Sequence, residues 1–280
     1  MTPTLVRQHS PSTRAPAPVD PRARARDWSE IQERMLVPLY EAVYERLDVG
    51  GGAHVLGLGC GSGLALLMAS ARGAAVTGVE ARFPERLAHA RQRLRPQGPG
   101  TAPLKDARAG EEITSGTPAY TVVTAFEPTG CLAGDAEGLD DALAEAVPLA
   151  RRGAAVVLAG WGPPERCATA SVLRVAAKPA DPLRGPAGWR PALRDDLEEV
   201  AQRAGLRPDG SGRVACPFGY ADTASAARGL LSTGLLDAAV AAAGQEQVAK
   251  ELAEALHPYR RRDGTVWMPN VFRYLIARVP

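Results

Sequence analysis

From Gly57 to Gly63 the chain reads Gly57-Leu58-Gly59-Cys60-Gly61-Ser62-Gly63, with glycine at every second position. Glycine carries no Cβ, so such a segment turns sharply and lets the backbone approach a ligand closely. A buried-strand pattern, Val55 to Leu58, precedes it, and a helical pattern from about Leu64 to Ala71 follows. The start of that helix offers backbone N–H groups without intrahelical partners. Glu80 follows the next apolar run, Val76 to Val79, and stands 21 residues beyond Gly59. A carboxylate so placed accepts hydrogen bonds from ribose hydroxyls. The chemistry indicated is the binding of a nucleoside cofactor. The competing reading is a glycine turn that packs a helix on a strand and holds no ligand.

The dinucleotide fingerprint is G-x-G-x-x-G/A. Counted from Gly59, its sixth position is Leu64, too bulky for the close helix–strand packing that pattern needs. This disfavours an NAD-dependent oxidoreductase. The observed spacing resembles the first motif of class I S-adenosylmethionine (SAM) dependent methyltransferases. A bacterial small-molecule subgroup is resembled further in Trp28 and Gln32, in Cys216-Pro217-Phe218, in His257-Pro258-Tyr259-Arg260, in Asp263-Gly264, and in Pro269-Asn270-Val271-Phe272-Arg273-Tyr274. The resemblance covers residues 28–280.

The resemblance implies an α/β fold: a Rossmann-like, seven-stranded, mostly parallel sheet with helices on both faces. The last strand would be antiparallel, and a helical lid inserted before it would roof the substrate site. SAM would be the cofactor. Its binding residues would be Gly57, Gly59, Cys60, Gly61 and Gly63 at the first turn, and Glu80 with Ala81 after the second strand. Asp106 with Ala107 would follow the third strand, and Ala125 with Phe126 would end the fourth. The chain departs from the family in three places. Gly57 stands where an acid usually supports the amino-acid end of SAM. The surroundings of Asp106 match poorly. Ala150-Arg151-Arg152-Gly153 is an altered form of the L-x-P-G-G turn.

Methyl transfer is an in-line displacement, to which an enzyme contributes alignment and exclusion of water. A general base is needed only where the acceptor holds its proton. Glu127 follows the fourth strand, on the side where open α/β sheets place ligands. It is a base or substrate contact, or else a solvated loop acid. His257 is a second base candidate; the alternative is a helix-end residue interacting with the last carbonyls. Trp161, Tyr220 and Tyr259 are acceptor-pocket candidates. Trp161 reads equally as an aromatic wedge under the roof. Trp28 and Tyr40 either close over the cofactor or pack in the core. His89, among Arg86, Arg91 and Arg93, reads as part of a solvated face.

The elements that must position these residues follow from the pattern. Residues 1–27 hold Pro, Ser, Thr, Ala and Arg without apolar periodicity and read as a disordered tail. Residues 28–50 read as an N-terminal helical cap with a break or kink at Pro38, and 51–219 as the SAM-binding core. Tyr120 to Phe126, Gly153 to Trp161 and Val214 to Phe218 read as further strands, residues 220–262 as the helical lid, and 263–280 as the strand that completes the sheet, its alternating part running from Thr265 to Ala277. Short strand–helix–strand joints mean parallel strands with crossover helices.

The 280 residues suffice for a substantial core, and 45% hydrophobic with 23% charged residues is ordinary for a globular chain. A net charge of +2 asks for neither nucleic acid nor membrane. Cys60, Cys131, Cys167 and Cys216 form no C-x-x-C pair, so no metal site is expected. Scattered thiols, no apolar run of spanning length and no secretory-type start lead to a cytoplasmic expectation. The expected function is methyl transfer to a small-molecule acceptor, placed in specialised metabolism by the resemblance. The alternative is a methyltransferase-like protein without catalysis, a regulator or scaffold, suggested by Gly57 and the degraded third-strand region.

Overall fold

The computed structural model describes residues 20–94, 104–105, 120–132, 135–178 and 196–280. Among them are strands β1 (His54–Leu58), β2 (Ala75–Val79), β3 (Leu104–Lys105), β4 (Tyr120–Thr129), β5 (Ala150–Trp161), β6 (Arg207–Ala215), β7 (Phe218–Tyr220), β8 (Val266–Met268) and β9 (Val271–Arg278). Seven form one sheet in the order β3-β2-β1-β4-β5-β9-β6. The pairs from β3 to β5 are parallel, and β9 runs antiparallel to both β5 and β6. This is the seven-stranded, mostly parallel sheet expected from the sequence.

Helices α1 (Pro21–Asp27), α2 (Val37–Arg46), α3 (Leu64–Ala71), α4 (Arg86–Arg93), α5 (Leu139–Ala146), α6 (Ala168–Ala177) and α7 (Asp196–Arg203) accompany the sheet. Helices α8 (Thr223–Ser232), α9 (Asp237–Ala243) and α10 (Gln245–Ala255) precede β8. Successive strand residues point to opposite faces. Val55, Val122, Val157 and Ile276 therefore join one apolar cluster with α2, α3, α6 and the α8–α10 roof. Leu56, Val123, Val156 and Leu275 join another with α5 and α7. Leu56, Val123 and Val157 are fully buried, each contributing about 1.5–3 kcal/mol.

Three expectations are corrected. Residues 21–27 are helix α1, capped by the Asp20 carboxylate, which accepts from the Arg22 N–H at 3.0 Å. Residues 1–19 lie outside the described part. Ala25 packs inward at 2% exposure, and the Arg24 guanidinium lies 4.7 Å from the Phe83 ring and bonds Asp237 of α9. Three arginines along one helix hid this single buried alanine. Second, the strand expected at 214–218 begins earlier, at Arg207, and stops before Pro217. Third, the closing strand expected over 265–277 is two strands. β8 leaves the main sheet to pair with β7, and Asn270 marks the corner. Buried Asn270 accepts from the Thr169 N–H at 3.1 Å and donates to Thr169 Oγ1 at 2.9 Å, satisfying its amide inside the protein.

Helical backbone continues from α1 to α2 through a π turn, Trp28–Gln32, and a 3-10 turn, Glu33–Leu36. Pro38 has no N–H to give a carbonyl one turn back, so the regular ladder breaks before it. The wide and tight turns carry Trp28, Gln32 and Glu33 inward to 6%, 2% and 2% exposure. Glu33 then caps α3 from outside. Its Oε1 accepts from the Ser62 N–H at 3.0 Å and the Leu64 N–H at 3.4 Å. Its Oε2 accepts from Ser62 Oγ and Arg93 Nη1. Arg93 also donates to the Ser29 carbonyl at 2.8 Å, tying α4 to the entering chain.

Two outcomes follow. A chain starting at Asp27 loses Ala25 burial and the Arg24 contacts, and its Tm falls by several degrees, consistent with about 1–2 kcal/mol; an unchanged Tm would show α1 to be dispensable. Glu33→Gln leaves Arg93 without its anion and replaces an acceptor with a donor beside backbone N–H groups. Thermal unfolding should show a loss of about 2–4 kcal/mol, larger than for Asp140→Asn at the exposed Arg203 pair.

Candidate functional site

The site is a consequence of strand register. Leu58 of β1 lies opposite Val79 on one side and Ala125 on the other. Gly59 and Glu80 therefore leave β1 and β2 at one level, beside Phe126 of β4. On β4 the register then slips: Ala125 faces Leu158, but Thr129 faces Gly160. The surplus residues bulge, as extra residues in a ladder do. Pro128, which has no N–H for the ladder, sits in the bulge beside Glu127.

Gly59 and Gly61 adopt φ of +58° and +57°, the left-handed region that favours glycine. A Cβ at Gly61 would lie 2.8 Å from Trp28 Nε1 and 3.0 Å from Glu33 Oε1, so the indole covers this peptide closely. A Cβ at Gly59 would lie 3.7 Å from Glu127 Oε2. Glu80 is 2% exposed and clamps the turn from the other side. Its Oε2 accepts from the Gly61 N–H at 3.0 Å, and its Oε1 accepts from Arg82 and Phe83 N–H at 3.1 and 3.0 Å.

Three cavities meet here, and Glu127 lines all of them. The largest, about 390 Å³, is bounded by Gly59, Glu80, Ala81, Arg82, Ala125, Asp135 and α5 residues. That volume lies within the range of small-molecule sites. The second, about 20 Å³, lies between Gly57, Gly59, Cys60 and Gly61 and the side chains of Trp28, Tyr40, Arg86 and Phe126. The third, about 30 Å³, lies under the roof among Trp28, Gln32, Glu127, Asp135, Trp161, Phe218, Leu230 and Phe272.

Burial dominates the electrostatics. It pushes the Glu127 carboxyl above its ordinary pKa, although Arg86 opposes the shift. It raises Asp135 as well, against three hydrogen bonds from Gly130, Cys131 and Leu132 N–H. It lowers the pKa of the Arg86 guanidinium. Arg86 is 1% exposed, lies 3.9 Å from the Trp28 and Phe83 ring centres, and donates to the Ser232 carbonyl at 2.7 Å. Its Nε, with Trp28 Nε1 and Trp161 Nε1, is buried without a hydrogen-bond partner among the described residues. Such donors await an acceptor.

Most of the residues singled out in the sequence converge, with corrections. Gly57 points at α3, where a Cβ would stand 3.1 Å from Leu66 Cδ2; its missing side chain is what lets α3 pack on β1. Gly63 lines none of the three cavities. It starts α3 at φ +80°, and its Cβ would meet Ala90 Cβ at 2.9 Å, so it serves the packing of α4. His257 is exposed in a turn after α10 and lines none of the three cavities. Tyr259 lines none either. Tyr220 is buried and donates to Gln32 Oε1 at 2.8 Å, so it positions a cavity residue instead of lining a cavity. Asp106 and Ala107 lie outside the described residues. Trp161 does face the roofed cavity, and Trp28 covers the glycine turn. His89, read as part of a solvated face, is half-buried, and its neighbour Arg86 is buried; the seven-residue spacing of Arg86 to Arg93 was the available signal that both share one face of α4.

No protein-family model matches the chain, and no curated protein matches it. Its fold does match solved structures. One is a candidate methyltransferase from Bacillus halodurans, 14% identical, with TM-score 0.54 over 86% of this chain and 98% of that one. Another is the [4+2]-cyclase SpnF, 20% identical, with TM-score 0.51 over 86% of this chain and 80% of the other. A third is a SAM-dependent methyltransferase from Geobacter sulfurreducens in complex with S-adenosyl-L-homocysteine, 17% identical, with TM-score 0.50 over 95% of this chain and all of the other. At such identities the likeness is one of architecture: the chain shares its Rossmann-like α/β fold with these methyltransferase and cyclase structures.

Proposed function

We propose that the protein is a SAM-dependent methyltransferase acting on a small-molecule acceptor. The observation that carries the reading is the convergence of Gly59, Glu80 and Glu127 on a cavity of about 390 Å³ at the C-terminal edge of the parallel strands. The ligand of the Geobacter structure supports the choice of nucleoside. SAM supplies a methyl group bound to a cationic sulfur, and the remaining work falls to this chain. Glu80 Oε2, which takes one backbone N–H, retains lone-pair capacity for ribose hydroxyls. The unpartnered Trp28 Nε1–H and Arg86 Nε–H suit a carboxylate at the small second cavity. Glu127, at the junction of the cavities, is the group placed to accept a proton from the acceptor at a carboxylate oxygen. The roof of α8 to α10 excludes water from that junction.

The non-catalytic alternative drew its support from Gly57. That support weakens once Gly57 is explained by Leu66 packing. An aspartate there would point at an apolar helix, so Gly57→Asp should lower stability by about 1–3 kcal/mol and leave the affinity for SAM no tighter. Chemical denaturation beside calorimetric titration checks this; tighter binding with stability kept would mean that the second cavity lacked an acid.

Titration with S-adenosylhomocysteine tests the function itself. Micromolar binding is expected. Glu80→Gln should weaken it roughly ten- to hundredfold, the effect of losing a charged hydrogen-bond acceptor. Absence of binding at millimolar ligand would reject the methyltransferase reading.

A further inference from the structure

The roofed cavity has a one-sided lining. Its fourteen lining residues include two carboxylates, Glu127 and Asp135, and no Lys, Arg or His. Four are aromatic: Trp28, Trp161, Phe218 and Phe272. Trp161 is T-shaped to Phe272 at 4.7 Å and to Phe218 at 6.2 Å, which fixes its ring. Its Nε1–H is buried and unpartnered among the described residues. Two cations act on these carboxylates from outside this lining: Arg86, held between two rings and the Ser232 carbonyl, lines the second cavity, and Arg82 lines the largest.

Carboxylates with aromatic faces and no competing cation are the lining that recognises an ammonium group. An anionic acceptor would be repelled by both carboxylates. A neutral acceptor would bring them no counter-charge in a water-poor space. We propose that the acceptor is an amine, recognised through its cationic nitrogen by Glu127 and Asp135, with Trp161 Nε1–H donating to an oxygen of the same molecule. The proposal rests on the methyltransferase reading and specifies its acceptor. Asp135 contributes charge, because its oxygens already take three backbone N–H groups. Glu127 contributes the direct contact. Burial raises the pKa of both carboxyls although Arg82 acts on both and Arg86 on Glu127 in the opposite sense, and an ammonium group in the cavity would favour their charged forms further. Size sets the scale of recognition. A cavity of about 30 Å³ holds roughly two water-sized groups, so the closed roof admits an amine head with a short oxygen-bearing arm.

Three small hydroxyl-bearing probes present a cationic, a neutral and an anionic head: ethanolamine, ethylene glycol and glycolate. Their affinities are measured by ligand-observed NMR on the full chain, with and without saturating S-adenosylhomocysteine. Ethanolamine should bind roughly ten- to hundredfold tighter than ethylene glycol, and glycolate weakest. Glu127→Gln should bring the first two together. Trp161→Phe should weaken both and leave their ratio intact. Equal or tighter binding of glycol or glycolate by the wild-type protein overturns the proposal. So does S-adenosylhomocysteine binding with no ethanolamine binding. Failure of S-adenosylhomocysteine to bind rejects the methyltransferase reading instead, and the probe ratio without it still decides what the roofed cavity recognises.

Discussion

A left-handed glycine turn has no ladder of its own to hold it, and here two buried carboxylates do that work. Glu80 takes the Gly61 N–H from the side of β2, while Glu33 takes the Ser62 and Leu64 N–H groups from the entering helix. Each is 2% exposed, so neither contact is diluted by water. The turn is thus fixed between two segments far apart in sequence. Everything described at the sheet edge depends on this clamp: Gly59 stays open to Glu127, Trp28 stays over Gly61, and α3 begins where Gly57 can receive Leu66.

The sheet was legible because parallel strands write themselves as short apolar runs between glycine turns and helical periods. Val55–Leu58, Val76–Val79 and the Tyr120 and Gly153 segments all occupy the expected places. What could not be read was polar burial. Glu33 sits in a helical segment of ordinary charge pattern, and only the π turn before it rotates it inward. Arg86 and Arg93 share a helix with three other polar residues, and their partners lie 146 and 60 residues away. Long-range pairing of this kind leaves no local period. The same holds for α1, where one small buried residue among arginines gives no amphipathic signal.

Gly57 and His257 show opposite failures of motif reasoning. Gly57 was judged by what a family puts there, and its cause lies in a neighbouring helix. His257 was judged by its residue type, yet the chain turns it out to solvent after α10. Glu127 was judged by position on a strand end, and register carried it to the meeting point of three cavities. Strand register is a geometric constraint shared by many residues at once. Residue type is not, which is why topology transferred to this chain more faithfully than did individual roles.

The start of α3 already has its anion. A helix of this kind, following β1 and a glycine turn, is where nucleotide-binding proteins seat a phosphate on free backbone N–H groups. In this chain the Glu33 carboxylate occupies that place, neutralised by Arg93 behind it. A pyrophosphate would have to expel a buried acid and strand its half-buried arginine partner before gaining any contact. The start of α3 is therefore closed to a phosphate by a carboxylate that the protein itself supplies.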